Sequence, residues 1–207
     1  MRNYLLSKCL LFFVAASFLF VPANVHAHGL LTNGNQGYEV SALQEKLKKM
    51  GFFYGPVTGY FGAITERAVA DFQYKTNLSS DGVAGPATFL MLNDIEQMAR
   101  VVHGEARGES YIGKVAVAAV ILNRLDDPAF PNQIGDVIHQ TNAFTAVHDG
   151  QYDLQPSSYA YHAVMDAMQG WDPTYGSVYY YNPELATNTW IFSRPSVTKI
   201  GNHLFAQ

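Results

Sequence analysis

Residues 95–124 read I-E-Q-M-A-R-V-V-H-G-E-A-R-G-E-S-Y-I-G-K-V-A-V-A-A-V-I-L-N-R, and they hold two helices of opposite character. On a wheel of 100° per residue, Ile95, Met98, Val101, Val102 and Ala106 share one side of the first helix, predicted over 94–107. Glu96, Arg100, His103, Gly104 and Arg107 share the other. Glu105 falls with the apolar set, between Met98 and Val101 in projection. A carboxylate on an apolar face is costly to ionise, so its pKa is expected to rise, as a general acid requires. The plain alternative is a Glu at a frayed helix end, reaching solvent or pairing with Arg100 or Arg107. The second helix, predicted over 110–125, is apolar all round from Val115 to Leu122 and must be buried on every side. Asn123 and Arg124 read as its C-terminal stop. Glu109 reads first as an acid in the opening turn of that helix, where the dipole favours it.

Upstream, Val40, Leu43, Leu47 and Met50 mark one helix face that ends at Gly51. Gly59-x-x-Gly62-x-x-Thr65 recurs as Gly82-x-x-Gly85-x-x-Thr88. Each copy predicts a glycine turn feeding a helix capped by the Thr hydroxyl. The pair suggests a pseudo-symmetric three-helix bundle, with its third helix opening at Thr88. Downstream of Pro128, Val178 to Tyr181 predicts a short strand and Asn182-Pro183 a turn. Alternation along that strand sends Tyr179 and Tyr181 one way and Tyr180 the other.

The whole chain has 207 residues, 48% hydrophobic and 14% charged, a composition that packs rather than one that stays disordered. Arg2 and Lys8, an apolar run over 9–20 and Val25-His26-Ala27 read as a secretory signal peptide over 1–27. Its removal takes away the one cysteine, Cys9, and moves the net charge from −4 to −6. An acidic, cysteine-free secreted protein is a poor nucleic-acid partner and has no thiol chemistry. The expected layout is 28–93 for the bundle and 94–207 for a second domain, with almost no linker between them.

Two resemblances add function to this layout. L-Q-E-K-L, G-x-F-G-x-x-T-E-x-A-V-x-x-F-Q and D-G-V-A-G-P-A-T resemble the three-helix peptidoglycan-binding domain of cell-wall hydrolases. A-R-V-V-H-G-E-A-R-G-E (99–109) and G-K-V-A-V-A-A-V-I-L-N-R (113–124) resemble the catalytic domain of the spore cortex-lytic enzymes, the germination-specific cell-wall hydrolases. A-F-T-A (143–146), G-W-D-P-T (170–174), Y-Y-Y-N-P (179–183) and I-G-N-H-L-F (200–205) fit in order. The near-absence of a linker and the F-A-Q tail depart from that pattern.

The resemblance implies a mainly α protein. Its parts are an N-terminal peptidoglycan-binding bundle and a lysozyme-like α+β catalytic domain with a small β element. It also implies lytic transglycosylase chemistry in the cell wall or spore cortex. Glu105 then acts first as acid and next as base, closing the muramic C6 hydroxyl onto C1 as a 1,6-anhydro end, with no cofactor or metal. Ordinary hydrolysis instead uses two carboxylates about 5–5.5 or 6.5–9.5 Å apart; Glu109, Asp166, Asp172 and Glu184 are the weak candidates.

Aromatic rings pack against the C–H faces of sugars, so Tyr179, Tyr180, Tyr181 and Trp190 are candidates for the substrate groove, with Asn182, Phe144, Thr145 and Glu109. Phe144 has an equal reading as plain core. A zinc amidase of the same wall is the rival, but none of the six His at 28, 103, 139, 148, 162 and 203 forms H-E-x-x-H. A wall-binding protein with a dead catalytic domain is a third reading. A spore enzyme also calls for a regulatory protein of the spore membrane as partner, and no motif identifies it.

Overall fold

The computed structural model describes residues 29–207, so the expected signal peptide lies outside the described residues. Helices α1 (Tyr38–Lys49), α2 (Ala63–Lys75) and α3 (Pro86–Glu105) come first. They are followed by α4 (Tyr111–Asp126), α5 (Ile134–Ile138), α6 (Thr145–His148) and α7 (Ser158–Met168). Three short strands close the chain: β1 (Tyr179–Tyr181), β2 (Ser196–Ile200) and β3 (His203–Ala206). They form an antiparallel sheet in the order β1-β3-β2, with a bulge between Ser196 and Thr198. The protein is thus mainly helical with one small sheet.

The two predicted glycine turns are present, but their threonines do different work from that expected. Gly62 and Gly85 occupy the N-cap positions, and neither helix has a side-chain cap. Thr65 and Thr88 lie one turn inside, buried, where each hydroxyl accepts from a buried glutamine of the preceding helix. Gln44 of α1 donates to the Tyr60 carbonyl at 3.0 Å and to Thr65 at 2.9 Å, while its own carbonyl takes the N–H groups of Thr58 and Gly59. Gln73 of α2 repeats the pattern: it donates to Asp81, Val83 and Thr88 and accepts from the Gly82 N–H at 2.9 Å. Each loop has buried backbone groups that would otherwise lack partners, and one amide side chain supplies both a donor and an acceptor. The repeat therefore encodes two polar plugs rather than two helix caps.

α3 is the larger departure. The expected break near Asn93 falls in the middle of one 20-residue helix that starts at Pro86 and ends at Glu105. Asn and Asp are weak helix formers, and Asn93-Asp94 reads locally as a boundary. Packing on both sides overrides that preference: Leu92 and Ile95, on either flank, are fully buried. Ahead of the pair, α3 shares the apolar core of α1 and α2 and meets α2 through Thr88 and Gln73; α3 also packs against α4, α5, α6 and α7. One continuous apolar core runs from Leu31 to Ala167. Lys49 to Gln155, at 3.2 Å, and Gln169 to the Lys75 carbonyl, at 2.7 Å, tie the bundle to the second half.

α4 fulfils the expectation of all-round burial. Ser110 caps it, with its side chain accepting from the Gly113 N–H. Val115, Val117, Ala118 and Ile121 face the main core, and Ala116 and Val120 face Ile200 and Phe205 of the sheet. Replacing Gln73 with Leu leaves the Gly82 N–H and the Val83 carbonyl without their partner. Each such group costs about 1–3 kcal/mol. Gln73→Leu is expected to lower the unfolding free energy by about 2–6 kcal/mol for the two groups together, read as a lower urea midpoint with the slope unchanged; an unaltered midpoint contradicts the plug.

Candidate active site

Glu105 is the last residue of α3, a position where the negative end of the helix dipole disfavours a carboxylate by about 0.3–1 kcal/mol. Its place there is compensated from outside the helix. The backbone N–H of Ala146, in the first turn of α6, donates to Glu105 Oε1 at 2.6 Å. Gly104 makes that approach possible: a Cβ at this residue would lie 2.5 Å from the Ala146 Cβ. The wheel placed Glu105 in an apolar setting, and the structure corrects this. Met98 and Val101 are fully buried. At Glu105 the same face meets the α6 backbone and the mouth of a groove, so the carboxylate is half-buried and polar in its contacts.

That groove has two arms. One, of about 510 Å³, holds Glu105, Asp149, Gln151 and His203. The other, of about 1180 Å³, holds Arg124, Phe130, His139 and Trp190. Thr145, Tyr180, Tyr181, Leu185 and Ala186 line both.

β1 supplies the wall between them, because alternation turns its three tyrosines to different partners. Tyr179 packs edge-on to Trp190 at 5.2 Å between centroids, and Tyr181 packs likewise to Phe192 at 5.4 Å. Tyr180 turns inward, against Phe205, Phe144 and His203. Its hydroxyl is buried near Glu105 but in hydrogen-bond geometry with no described group. Burial first, and the Glu105 charge second, push that hydroxyl well above the usual tyrosine pKa, so it stays protonated as a donor.

The groove thus brings together Glu105, Thr145, Tyr179, Tyr180, Tyr181, Asn182 and Trp190 from the expected set. It leaves out two. Phe144 is 2% exposed and lies in the core, its ring beneath the Arg124 guanidinium at 4.9 Å. Glu109 is drawn away by the sheet: Asn202 donates to its carboxylate at 3.1 Å, and His203 Nδ1 lies 3.9 Å from it. Gly201, at φ +58, closes the β2–β3 turn so tightly that a Cβ there would strike the same carboxylate. The weaker acidic candidates are also accounted for. Asp166 accepts from Tyr111 at 2.6 Å, Asp172 accepts from Asn123, Thr174 and Gly176, and Glu184 is exposed in the turn after β1.

Asp149, His203 and Arg124 also line the groove, where sequence reasoning did not place them. Asp149 lies in the Glu105 arm and holds Gln151 through both its side-chain and backbone N–H groups, bonds that keep its carboxyl below the usual range. His203 lies between Tyr180 and Glu109, at the start of β3, where it pairs with Ile200 of β2. Arg124 is 6% exposed, not a solvated stop: its Nε donates to the Val178 carbonyl at 2.7 Å. A cation ending an otherwise apolar helix was the one signal for it. Among the described residues, no three His, Cys, Asp or Glu side chains converge as a metal site requires.

Comparison with known proteins places these features in a family. The model of the cell wall hydrolase family matches residues 108–206, and that of a peptidoglycan binding domain matches 36–92. The chain is 40% identical to the spore cortex-lytic enzyme of Bacillus cereus, over 86% of each chain. It is 35% identical to that of Oceanobacillus iheyensis, over 86% of this chain and 87% of the relative. Among solved structures it resembles the catalytic domain of the Bacillus anthracis germination-specific lytic transglycosylase SleB. That match has 55% identity and a TM-score of 0.54, and covers 56% of this chain and 94% of that one.

The contact between Gly104 and Ala146 gives a direct test. Gly104→Ala forces α6 away from Glu105, and a displacement of about 1 Å at a reacting group can cost 100-fold. Wall-lytic activity is expected to fall at least about tenfold with the circular dichroism of the native fold retained; full activity in a folded variant contradicts the geometry.

Proposed function

Because this chain belongs to the spore cortex-lytic enzyme family, we propose that it cleaves the glycan strands of spore-cortex peptidoglycan as a lytic transglycosylase, with Glu105 as both acid and base. The observation that carries this is the placement of Glu105: a half-buried carboxylate, fixed by the Ala146 N–H, at the floor of a two-armed groove with a tyrosine wall. A polymer can lie through both arms with its scissile bond over the acid.

In the first step protonated Glu105 gives its proton to the glycosidic oxygen as the C1–O bond breaks. The C6 hydroxyl of the same muramic ring then attacks C1 and passes its proton to the Glu105 carboxylate. The acid is regenerated, no water is consumed, and the product ends in a 1,6-anhydro ring. Between the steps the ionised carboxylate is stabilised by the Ala146 N–H, and the Arg124 charge interacts favourably with it. The Tyr180 hydroxyl, buried and held protonated beside Glu105, is a donor toward the ionised carboxylate. Residues 28–93, with their two glutamine-plugged loops, act as the wall-binding unit. Their shared helix and the contacts to Gln155 and Gln169 hold that unit in a set orientation to the groove. Action in the wall or cortex requires export, for which residues 1–27 are the proposed signal. A regulatory protein of the spore membrane is the proposed partner.

Asp149 favours a second reading, a two-carboxylate hydrolase, because it is an ionised carboxylate in the same arm as Glu105. Mass analysis of a cortex digest separates the readings. Anhydromuramyl ends are expected; reducing muramyl ends would support the hydrolase, and freed stem peptides an amidase. In the same assay Asp149→Asn is expected to keep activity within a few-fold, whereas a loss of 100-fold or more would make Asp149 the second catalytic group. A chelator is expected to leave lysis unchanged; loss restored by zinc would support the amidase.

A further inference from the structure

Arg124 has a feature that neither packing nor the acid–base step uses. Its guanidinium is stacked on Phe144 at 4.9 Å, Phe130 at 5.3 Å and Tyr179 at 5.9 Å. One nitrogen, Nε, is bonded to Val178, and Arg124 belongs to none of the ion pairs among the described residues. The two terminal nitrogens have no hydrogen bond among the described residues and are not sealed in the core; the side chain lines the larger arm of the groove. Burial lowers the guanidinium pKa, but it remains a cation in the physiological range. A largely buried cation in no direct ion pair is costly to hold, and the Glu105 charge offsets that cost only from across the groove wall. The protein holds this one with its fork open to the groove, one tyrosine wall away from Glu105. A planar fork of N–H donors matches a carboxylate or carbonyl oxygen better than it matches a sugar hydroxyl.

We infer that Arg124 determines specificity by binding the lactyl oxygen of a muramic residue, as carboxylate or amide carbonyl, in the larger arm of the groove. This rests on the proposed reading that peptidoglycan glycan is the substrate. The two sugars of that polymer share their N-acetyl groups, and the lactyl group alone distinguishes muramic acid from glucosamine. An open guanidinium beside the cleavage site therefore reads the feature that separates peptidoglycan from chitin. The bound oxygen also sets the register of the chain, so that a muramic C1, and not a glucosamine C1, lies over Glu105.

The test uses the full chain carrying Glu105→Gln, so that substrates bind without turnover. Calorimetry measures three probes. These are the tetramer of N-acetylglucosamine, the alternating muramic tetrasaccharide with free lactyl carboxylates, and the same tetrasaccharide with its lactyl groups amidated. The parent is expected to prefer the muramic probes to the chitin probe. Arg124→Lys keeps the charge, the stacked stem and a donor for Val178 but loses the fork. It is expected to weaken the preferred muramic probe about tenfold or more while chitin binding stays within about twofold; Arg124→Gln is expected to do the same more strongly. A greater loss on the carboxylate probe identifies an anion as the ligand, and a greater loss on the amidated probe identifies a carbonyl. Equal loss on chitin and muramic probes, or an unchanged preference, overturns the inference. A parent that binds neither muramic probe overturns the functional reading as well.

Discussion

The structure depends on α3 running without a break through Asn93-Asp94. Its first turns complete the bundle that Gln44 and Gln73 hold together, and its last residue is the carboxylate at the groove floor. Propensity weakens a helix at such a pair. Burial of Leu92 and Ile95 on either flank keeps it going. The wall-binding unit and Glu105 are therefore at the two ends of one rod, and they share a continuous core. A protein working on an insoluble polymer gains from this, because the grip on the wall then fixes where the groove lies.

The second determinant is α4, which separates the core from the sheet. Small and β-branched residues on both faces let α3 and α7 pack on one side and β2–β3 on the other. The sheet then does two things at the site. It presents the β1 tyrosines as the groove wall, and it draws Glu109 aside through Asn202 and the Gly201 turn. Of the two glutamates in the G-E-A-R-G-E motif, one is thus left lining the groove and the other anchors the sheet beside His203.

How much of this was legible in the sequence follows from the range of each interaction. Glu105 stood out because a carboxylate interrupts an apolar face, and the motif around it resembles a known catalytic stretch. The helices α1, α2 and α4, the β1 strand and its alternating tyrosines were legible because their signals are local. The threonines were misread because a Thr three residues after a Gly suits a cap equally well; the glutamine that claims it lies 15 or 21 residues upstream. Phe144 and Glu109 were placed on the groove because their burial depends on Arg124 and on a turn some 90 residues later. Arg124 itself looked like an ordinary basic helix end, since its aromatic stack is assembled from three separate segments.

In the proposed function all of the bond-breaking falls on one carboxylate at the end of one helix, and a single substitution isolates it. Glu105→Gln keeps the size of the side chain and an oxygen for the Ala146 N–H, but it can neither give nor take the proton. The decisive measurement is release of soluble glycan from cortex by this variant, alongside its sedimentation with the same cortex. No detectable release above the uncatalysed background is expected, with sedimentation equal to that of the unmodified protein. Release at the unmodified rate by a folded, wall-bound Glu105→Gln protein would contradict the proposed function.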